Sequence, residues 1–146
     1  METKIEYRDY YAFMGENAAK YYQRFEKFEL LGGGFAATWH WPAFFVGPLW
    51  FMYRKMYVWA LVSFLFSWVP YAAFPAMIAS GLCAHYLYYR ECRVKILGIK
   101  NYADPDRLGI LLQRQGGVNK WVIAAAVVYL IIGTVFVMKS AGLVSG

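Results

Sequence analysis

The chain has 146 residues, of which 60% are hydrophobic, 21% aromatic and only 16% charged, and its formal net charge is +6. Soluble domains usually carry about 25% charged residues, so the composition argues against an ordinary soluble domain. The charges are also unevenly placed, with none between Lys55 and Arg90 and none between Lys120 and Lys139. Uncharged stretches of this length predict a membrane protein.

Residues 1–34 are predicted to form a helix at the cytoplasmic face. Its aromatic side chains recur at helical spacing, and Gly32-Gly33-Gly34 is expected to end it. An aromatic face with flanking cations suits a helix that lies on the membrane surface or one that packs on the protein's own cytoplasmic side. The segment has no secretory core, which predicts a cytoplasmic N-terminus. The residues of this face are Ala18, Tyr21, Tyr22, Phe25 and Phe28.

Residues 35–89 are predicted to be the membrane segments. An uncharged aromatic run from Trp41 to Tyr53 is closed by Arg54 and Lys55, and Gly47-Pro48 predicts a bend within it. The segment either dips into the bilayer and returns, or crosses it. Both layouts are compatible with a cytoplasmic N-terminus.

The uncharged stretch from Met56 to Ala84 would be about 44 Å long as one helix, too long for one upright span. Pro70 and Pro75 interrupt it. The prolines predict either a hairpin with arms 56–69 and 76–89 or one kinked helix. An excess of cations on the cytoplasmic side favours the hairpin.

Residues 90–120 carry seven cations against three acids. This excess is typical of a cytoplasmic loop under the positive-inside rule, and we prefer that interpretation to nucleic-acid binding. Asp104-Pro105 predicts the start of a short helix that Gly116-Gly117 ends. Residues 121–138 are predicted to be a transmembrane helix, followed by a tail, 139–146, outside the membrane.

These segments predict an all-α integral membrane protein. It would have three to four short or kinked membrane helices, one of them re-entrant in the first layout, and an N-terminal amphipathic helix at the interface.

Five runs of the sequence form a recognisable pattern: Asn17–Tyr22, Phe25–Phe28, Trp39–Tyr57, Tyr86–Arg90 and Gly116-Gly117. Together they resemble one bacterial membrane family, known as domain of unknown function 2628. His40 stands where that family usually has asparagine, and Pro42 where it usually has alanine. The resemblance implies a protein of the bacterial inner membrane and supplies no activity.

Few groups in the chain could perform catalysis. The predicted membrane segments contain no carboxylate that could relay a proton, and only His40 and His85 would titrate near neutral pH. A haem held by these two histidines is the sharpest cofactor hypothesis, but hydrogen bonding at the interface is enough to explain them. Cys83, His85 and Cys92 are too far apart on a helix to share a metal. We therefore predict no enzyme, no cofactor and no metal site.

Arg54 and Lys55, with Trp50, Tyr53 and Tyr57, are the candidates for contact with a lipid headgroup or an acidic partner. The simpler interpretation is that the two cations anchor a helix end at the membrane surface. The bends at Gly47, Pro48, Pro70 and Pro75 are interpreted as structural.

The predicted function is a small, non-enzymatic accessory or scaffold subunit of the inner membrane. It would pack into a larger membrane complex or a homo-oligomer, because so many aromatic residues exceed what a chain of this size can bury. Its partners would be the bilayer and other membrane proteins or itself, with no nucleic acid. The alternative is a lipid-handling or small-solute transport protein.

Overall fold

The computed structural model describes residues 5–140, without the side chains of residues 129, 133, 136, 137 and 140. Residues 141–146, most of the predicted tail, lie outside the described part of the chain. The described residues form seven α-helices: α1 (Tyr7–Met14), α2 (Ala18–Leu30), α3 (Trp41–Tyr53), α4 (Tyr57–Ser67), α5 (Ala73–Tyr102), α6 (Pro105–Gln115) and α7 (Trp121–Ser140).

The N-terminal segment is two helices rather than the single helix predicted. Gly15 ends α1 with a φ of 65°, a left-handed conformation that suits glycine, and a short 3₁₀ turn follows. α2 ends at the predicted glycines, where the Gly33 amide donates to the Phe28 carbonyl at 2.8 Å.

The aromatic face of α2 packs on the protein itself. Phe25 and Phe28 are fully buried and their rings lie 5.3 Å from the ring of Tyr89 on α5. The prediction of an interfacial helix that lays this face on a membrane is therefore wrong, because α5 already covers the apolar stripe. The alternative, packing on the protein's own surface, describes α2.

α4 and α5 form an antiparallel pair joined by residues 68–72. Pro70 lies in this turn, and Pro75 occupies the first turn of α5, where proline costs no hydrogen bond. The pair corresponds to the two arms of the predicted hairpin. α3 is kinked at Val46 (φ −129°, ψ 40°), just before the predicted bend at Gly47-Pro48.

α5 is the central helix, and two groups of helices pack along it. α1, α2 and α6 pack on one side of it, with the side chains of α2 reaching from His85 to Arg93. We call these three helices, together with residues 90–102 of α5, the polar lobe. α3 and α4 pack on α5, and α7 packs on α3. We call these three helices, together with residues 73–89 of α5, the apolar lobe. Residue 90, the predicted boundary between the membrane segments and the cytoplasmic loop, therefore lies within one continuous helix. At this residue the side chains of α5 change from uncharged to partly charged.

The prediction of an integral membrane fold is wrong for the described residues, since none of their helices combines the length and the apolar character needed to cross a membrane. α3 and α4 have 13 and 11 residues, about 20 and 17 Å, against a hydrocarbon core of about 30 Å. α5 is long enough but carries charged side chains from Arg90 onward. The segment predicted to span as 121–138 does form a helix, α7, but its described residues do not meet that requirement.

α6 begins at Pro105 and stops before Gly116, as predicted. Its apolar face packs on the protein itself. Leu112 is buried and Leu108 and Leu111 pack against the same core, because α1 and α5 flank the helix.

Substitution of Gly116 by alanine is expected to lower the free energy of unfolding by about 2 kcal/mol. A Cβ at Gly116 would overlap the backbone carbonyl of Phe13, where α1 meets the end of α6. Gly109→Ala is the matched control, because a Cβ there meets open space and alanine in a helix stabilises by about 1 kcal/mol over glycine. Denaturant titrations of both variants test the contact, and equal midpoints would contradict it.

Candidate functional site

Arg54 is a buried cation at the C-terminal end of α3. Its side chain is 6% exposed, and its guanidinium carbon lies 4.6, 5.0 and 5.6 Å from the ring centres of Tyr21, Tyr88 and Tyr53. It donates to the Tyr21 hydroxyl at 2.8 Å and to the Tyr88 hydroxyl at 3.5 Å. Within residues 5–140 no carboxylate pairs with it, so aromatic faces and hydroxyls stabilise this charge.

The tyrosines come from different helices, so this arrangement joins the two lobes. α2 supplies Tyr21, α5 supplies Tyr88, and Arg54 lies between them. Arg54 was predicted from the sequence to contact a headgroup or an acidic partner, whereas its guanidinium lies inside the protein. From the sequence, Tyr21 was placed on the aromatic face of the N-terminal helix and Tyr88 in a run that resembles the family, and neither was assigned to a site.

Lys55 and Tyr53 connect the α3–α4 turn to the start of α7. Lys55 has a φ of 59°, and its ammonium donates to the Gly116 carbonyl at 2.6 Å. The Tyr53 carbonyl accepts from the Asn119 amide at 2.8 Å, and the Lys55 carbonyl accepts from the Lys95 ammonium at 3.2 Å. These contacts hold the ends of α3 and α6 and the beginnings of α4 and α7 close together, beside Lys95 of α5.

His40 and His85 lie together in the core. Their ring centres are 4.5 Å apart and nearly perpendicular, and Trp50 lies 4.5 Å from His40. The Nδ1 atom of His40 accepts from the Ala43 amide at 3.1 Å, which caps α3. The Nδ1 atom of His85 is 3.1 Å from the Thr38 hydroxyl.

Both histidines are held neutral. Burial, with the charge of Arg54, lowers the pKa of His40 to about 4. Burial, with His40 itself, lowers the pKa of His85 to about 3. The rings are in direct contact, which leaves no space for the porphyrin of the two-histidine hypothesis.

The other potential ligands do not converge. Cys83 is half-buried and Cys92 buried, and both are free thiols. In the part of the chain that the structure describes, no three histidine, cysteine or acidic side chains could share a metal ion. Burial raises the pKa of Cys92 to about 12, so its thiol stays protonated.

The predicted bends have packing roles. Gly47 is buried where α3 approaches α5, and a Cβ there would lie 3.3 Å from the Ser80 hydroxyl. Pro48 remains inside the helix after the kink at Val46. Tyr57, the remaining predicted contact residue, is 55% exposed at the start of α4.

The apolar lobe exposes a large hydrophobic surface. No charged residue occurs from Met56 to Tyr89, and many large side chains on α4, the following turn, the start of α5 and α7 are more than half exposed. They include Val58, Leu61, Leu65, Phe66, Trp68, Tyr71, Phe74, Ile123, Val128, Leu130, Ile131 and Ile132. Soluble monomers rarely expose apolar patches larger than a few hundred Å².

A groove of about 480 Å³ runs between α4 and α5 on this lobe, and we call it the α4–α5 groove. It extends from Pro75 to Trp59 and Leu87 and is lined mainly by apolar side chains. Trp59 and Leu87 also line the next hollow along α5, which contains Arg90. From the sequence, Arg90 was predicted only as part of the basic segment, and the groove was not predicted. The available signal was the position of Arg90, a charged residue directly after a long uncharged stretch.

A family model described as "Protein of unknown function (DUF2628)" matches residues 12–88 of the chain. No curated protein matches it, and no solved structure does.

Proposed function

Because the chain belongs to the DUF2628 family, for which no function is described, we propose its function from geometry. We propose that it is a non-enzymatic accessory or scaffold subunit attached to the bacterial inner membrane. The apolar lobe contacts the bilayer, and the polar lobe contacts other subunits of a larger complex.

The exposed surface of the apolar lobe is the observation that carries this proposal. Side chains such as Val58 and Trp68 are 73% and 75% exposed to water in the described part of the chain. Burial of apolar area contributes about 25 cal/mol per Å², so covering such a surface is strongly favourable. A bilayer can cover it without a charged partner.

The residues at the edge of this surface favour a membrane, rather than a second protein, as the partner that covers it. α4 and α7 begin at the level fixed by the Lys55 and Asn119 contacts. Trp121, 82% exposed, lies there beside exposed Lys120, and Arg90 follows the groove on α5. Tryptophan and cations at one level are typical of the headgroup region.

The polar groups of the α4–α5 groove favour a non-enzymatic role. Ser63, Ser80 and Cys83 line the groove, and its described lining contains no imidazole or carboxylate that could activate them. Burial raises the pKa of Cys83, which disfavours the reactive thiolate.

The proposal predicts that the purified full-length chain floats with vesicles of phosphatidylethanolamine and phosphatidylglycerol in a density gradient. The double variant Leu65→Glu/Leu130→Glu should remain at the bottom, because both positions are exposed on the apolar lobe, at 58% and 66%. Transfer of a charged side chain at the centre of a helix into hydrocarbon costs about 2.5–3.5 kcal/mol.

Leu30→Glu is the control, since Leu30 is 83% exposed on α2 of the polar lobe. It should float like the unaltered chain. Failure of the unaltered chain to float would overturn membrane attachment, as would undiminished flotation of a folded double variant. Folding is checked by circular dichroism.

A further inference from the structure

Two apolar hollows open on the apolar lobe, and they differ in whether a cation lies beside one end. The larger, about 1100 Å³ between α3, α4 and α7, has no charged side chain in its lining. Nothing there would fix the headgroup of a lipid. The α4–α5 groove differs because it continues past Trp59 and Leu87 to Arg90.

The length of the α4–α5 groove corresponds to one acyl chain. It follows one face of α5 from Pro75 to Leu87, about 18 Å at the helical rise of 1.5 Å per residue. Each leaflet contributes about half of a hydrocarbon core of about 30 Å, or about 15 Å. An acyl chain that starts at Leu87 would therefore end near the α4–α5 turn.

The charge at the mouth of the groove selects an anionic headgroup. Glu91 lines the same hollow as Arg90, but its carboxylate is paired with the Lys95 ammonium at 3.0 Å. Arg90 is exposed and has no carboxylate partner within residues 5–140. Its guanidinium is therefore available to bind phosphate oxygens in a bidentate manner.

We propose that the α4–α5 groove binds one anionic phospholipid, with an acyl chain between α4 and α5 and the phosphate at Arg90. This inference rests on the proposed membrane attachment and makes it specific. The apolar lobe would then hold a defined lipid in addition to its general contact with the bilayer.

Blocking the groove tests the acyl-chain site. Ala79 is exposed and lines the groove, so Ala79→Trp should fill it without overpacking the core. Ala124→Trp is the matched control, because Ala124 is exposed on α7 and is not part of the groove lining. Native mass spectrometry of the full chain in mild detergent with added phosphatidylglycerol should show one lipid bound, lost at least about tenfold in Ala79→Trp and retained in the control.

Reversing the charge tests the headgroup site. Arg90→Glu should weaken phosphatidylglycerol binding about five- to thirtyfold, since each cation near a lipid phosphate contributes about 1 kcal/mol. The control Arg107→Glu alters an exposed arginine on α6 and should leave binding unchanged. Phosphatidylcholine should bind more weakly than phosphatidylglycerol to the unaltered chain and lose this difference in Arg90→Glu.

Flotation of the same variants separates this inference from the proposed function. Ala79→Trp should still float with vesicles, because the outer apolar surface is intact, and only its specific lipid should be lost. Lipid binding by Ala79→Trp equal to that of the unaltered chain would overturn the groove site while leaving membrane attachment intact. Equal effects of Arg90→Glu and Arg107→Glu would overturn the role of Arg90.

Discussion

Arg54→Ala is expected to lower the free energy of unfolding by about 3 kcal/mol or more. The change removes the charged hydrogen bond to Tyr21 and leaves the hydroxyls of Tyr21 and Tyr88 without this donor. It also removes the aliphatic stem and the guanidinium from a site that is 6% exposed, which leaves a cavity among three tyrosine rings. Because Arg54 joins α2, α3 and α5, its removal should lower the stability of both lobes.

Two further variants separate the contributions of charge and shape. Arg54→Lys keeps the charge but loses the planar group that stacks on the tyrosines, and we expect an intermediate loss of stability. Arg107→Ala removes an exposed arginine and should change stability by less than about 0.5 kcal/mol. Denaturant unfolding followed by tryptophan fluorescence measures all three, and an Arg54→Ala midpoint equal to that of Arg107→Ala would contradict the buried position.

The helix ends could be predicted because their signals are local. The glycines at 32–34 end α2, and the Asp104-Pro105 pair begins α6, through backbone conformations that neighbouring residues determine. Pro70 likewise marks the turn between α4 and α5. The split between α1 and α2 at Gly15 was missed because an isolated glycine in a helical pattern is often tolerated.

The uncharged stretches led to the wrong prediction of an integral membrane fold, because they do not determine where each helix ends. Hydropathy reports how apolar a segment is, but the turn at Arg54 and Lys55 ends α3 and the turn around Pro70 ends α4. The segment 121–138 was predicted to span a membrane from its hydropathy alone, but the packing of this helix depends on the helices beside it.

The candidate site depended on distant contacts that no local pattern encodes. The hydrogen bonds of Arg54 join it to Tyr21 and Tyr88, 33 and 34 residues away. From the sequence, Arg54 and Lys55 are equivalent cations after an aromatic helix. Packing directs the first into the core and the second towards Gly116.

Acidification from pH 6.5 to pH 4 is expected to destabilise the fold through His40 and His85. Burial holds their folded pKa values at about 4 and about 3, against about 6.5 in the unfolded chain. The unfolded state therefore binds more protons in this range. Stability that is fully present above pH 6.5 is lost as the pH falls towards the folded pKa values.

Each histidine can contribute a loss of up to about 3 kcal/mol over this interval, and the two losses are coupled because the rings touch. After burial, the charge of Arg54 beside His40 is the second cause of the lowered pKa of His40, because it disfavours another positive charge nearby.

The double variant His40→Asn/His85→Asn isolates this effect from the general acid sensitivity of carboxylates. Asparagine at position 40 can still cap α3 through its side-chain oxygen, while neither new side chain titrates. Unfolding free energies measured at pH 7, 6, 5 and 4 should fall more steeply for the unaltered chain than for the variant. Parallel pH profiles would show that the histidines are not held neutral in the folded protein. A steeper profile for the variant would show that the histidines stabilise the folded protein in acid, the opposite of the expected effect.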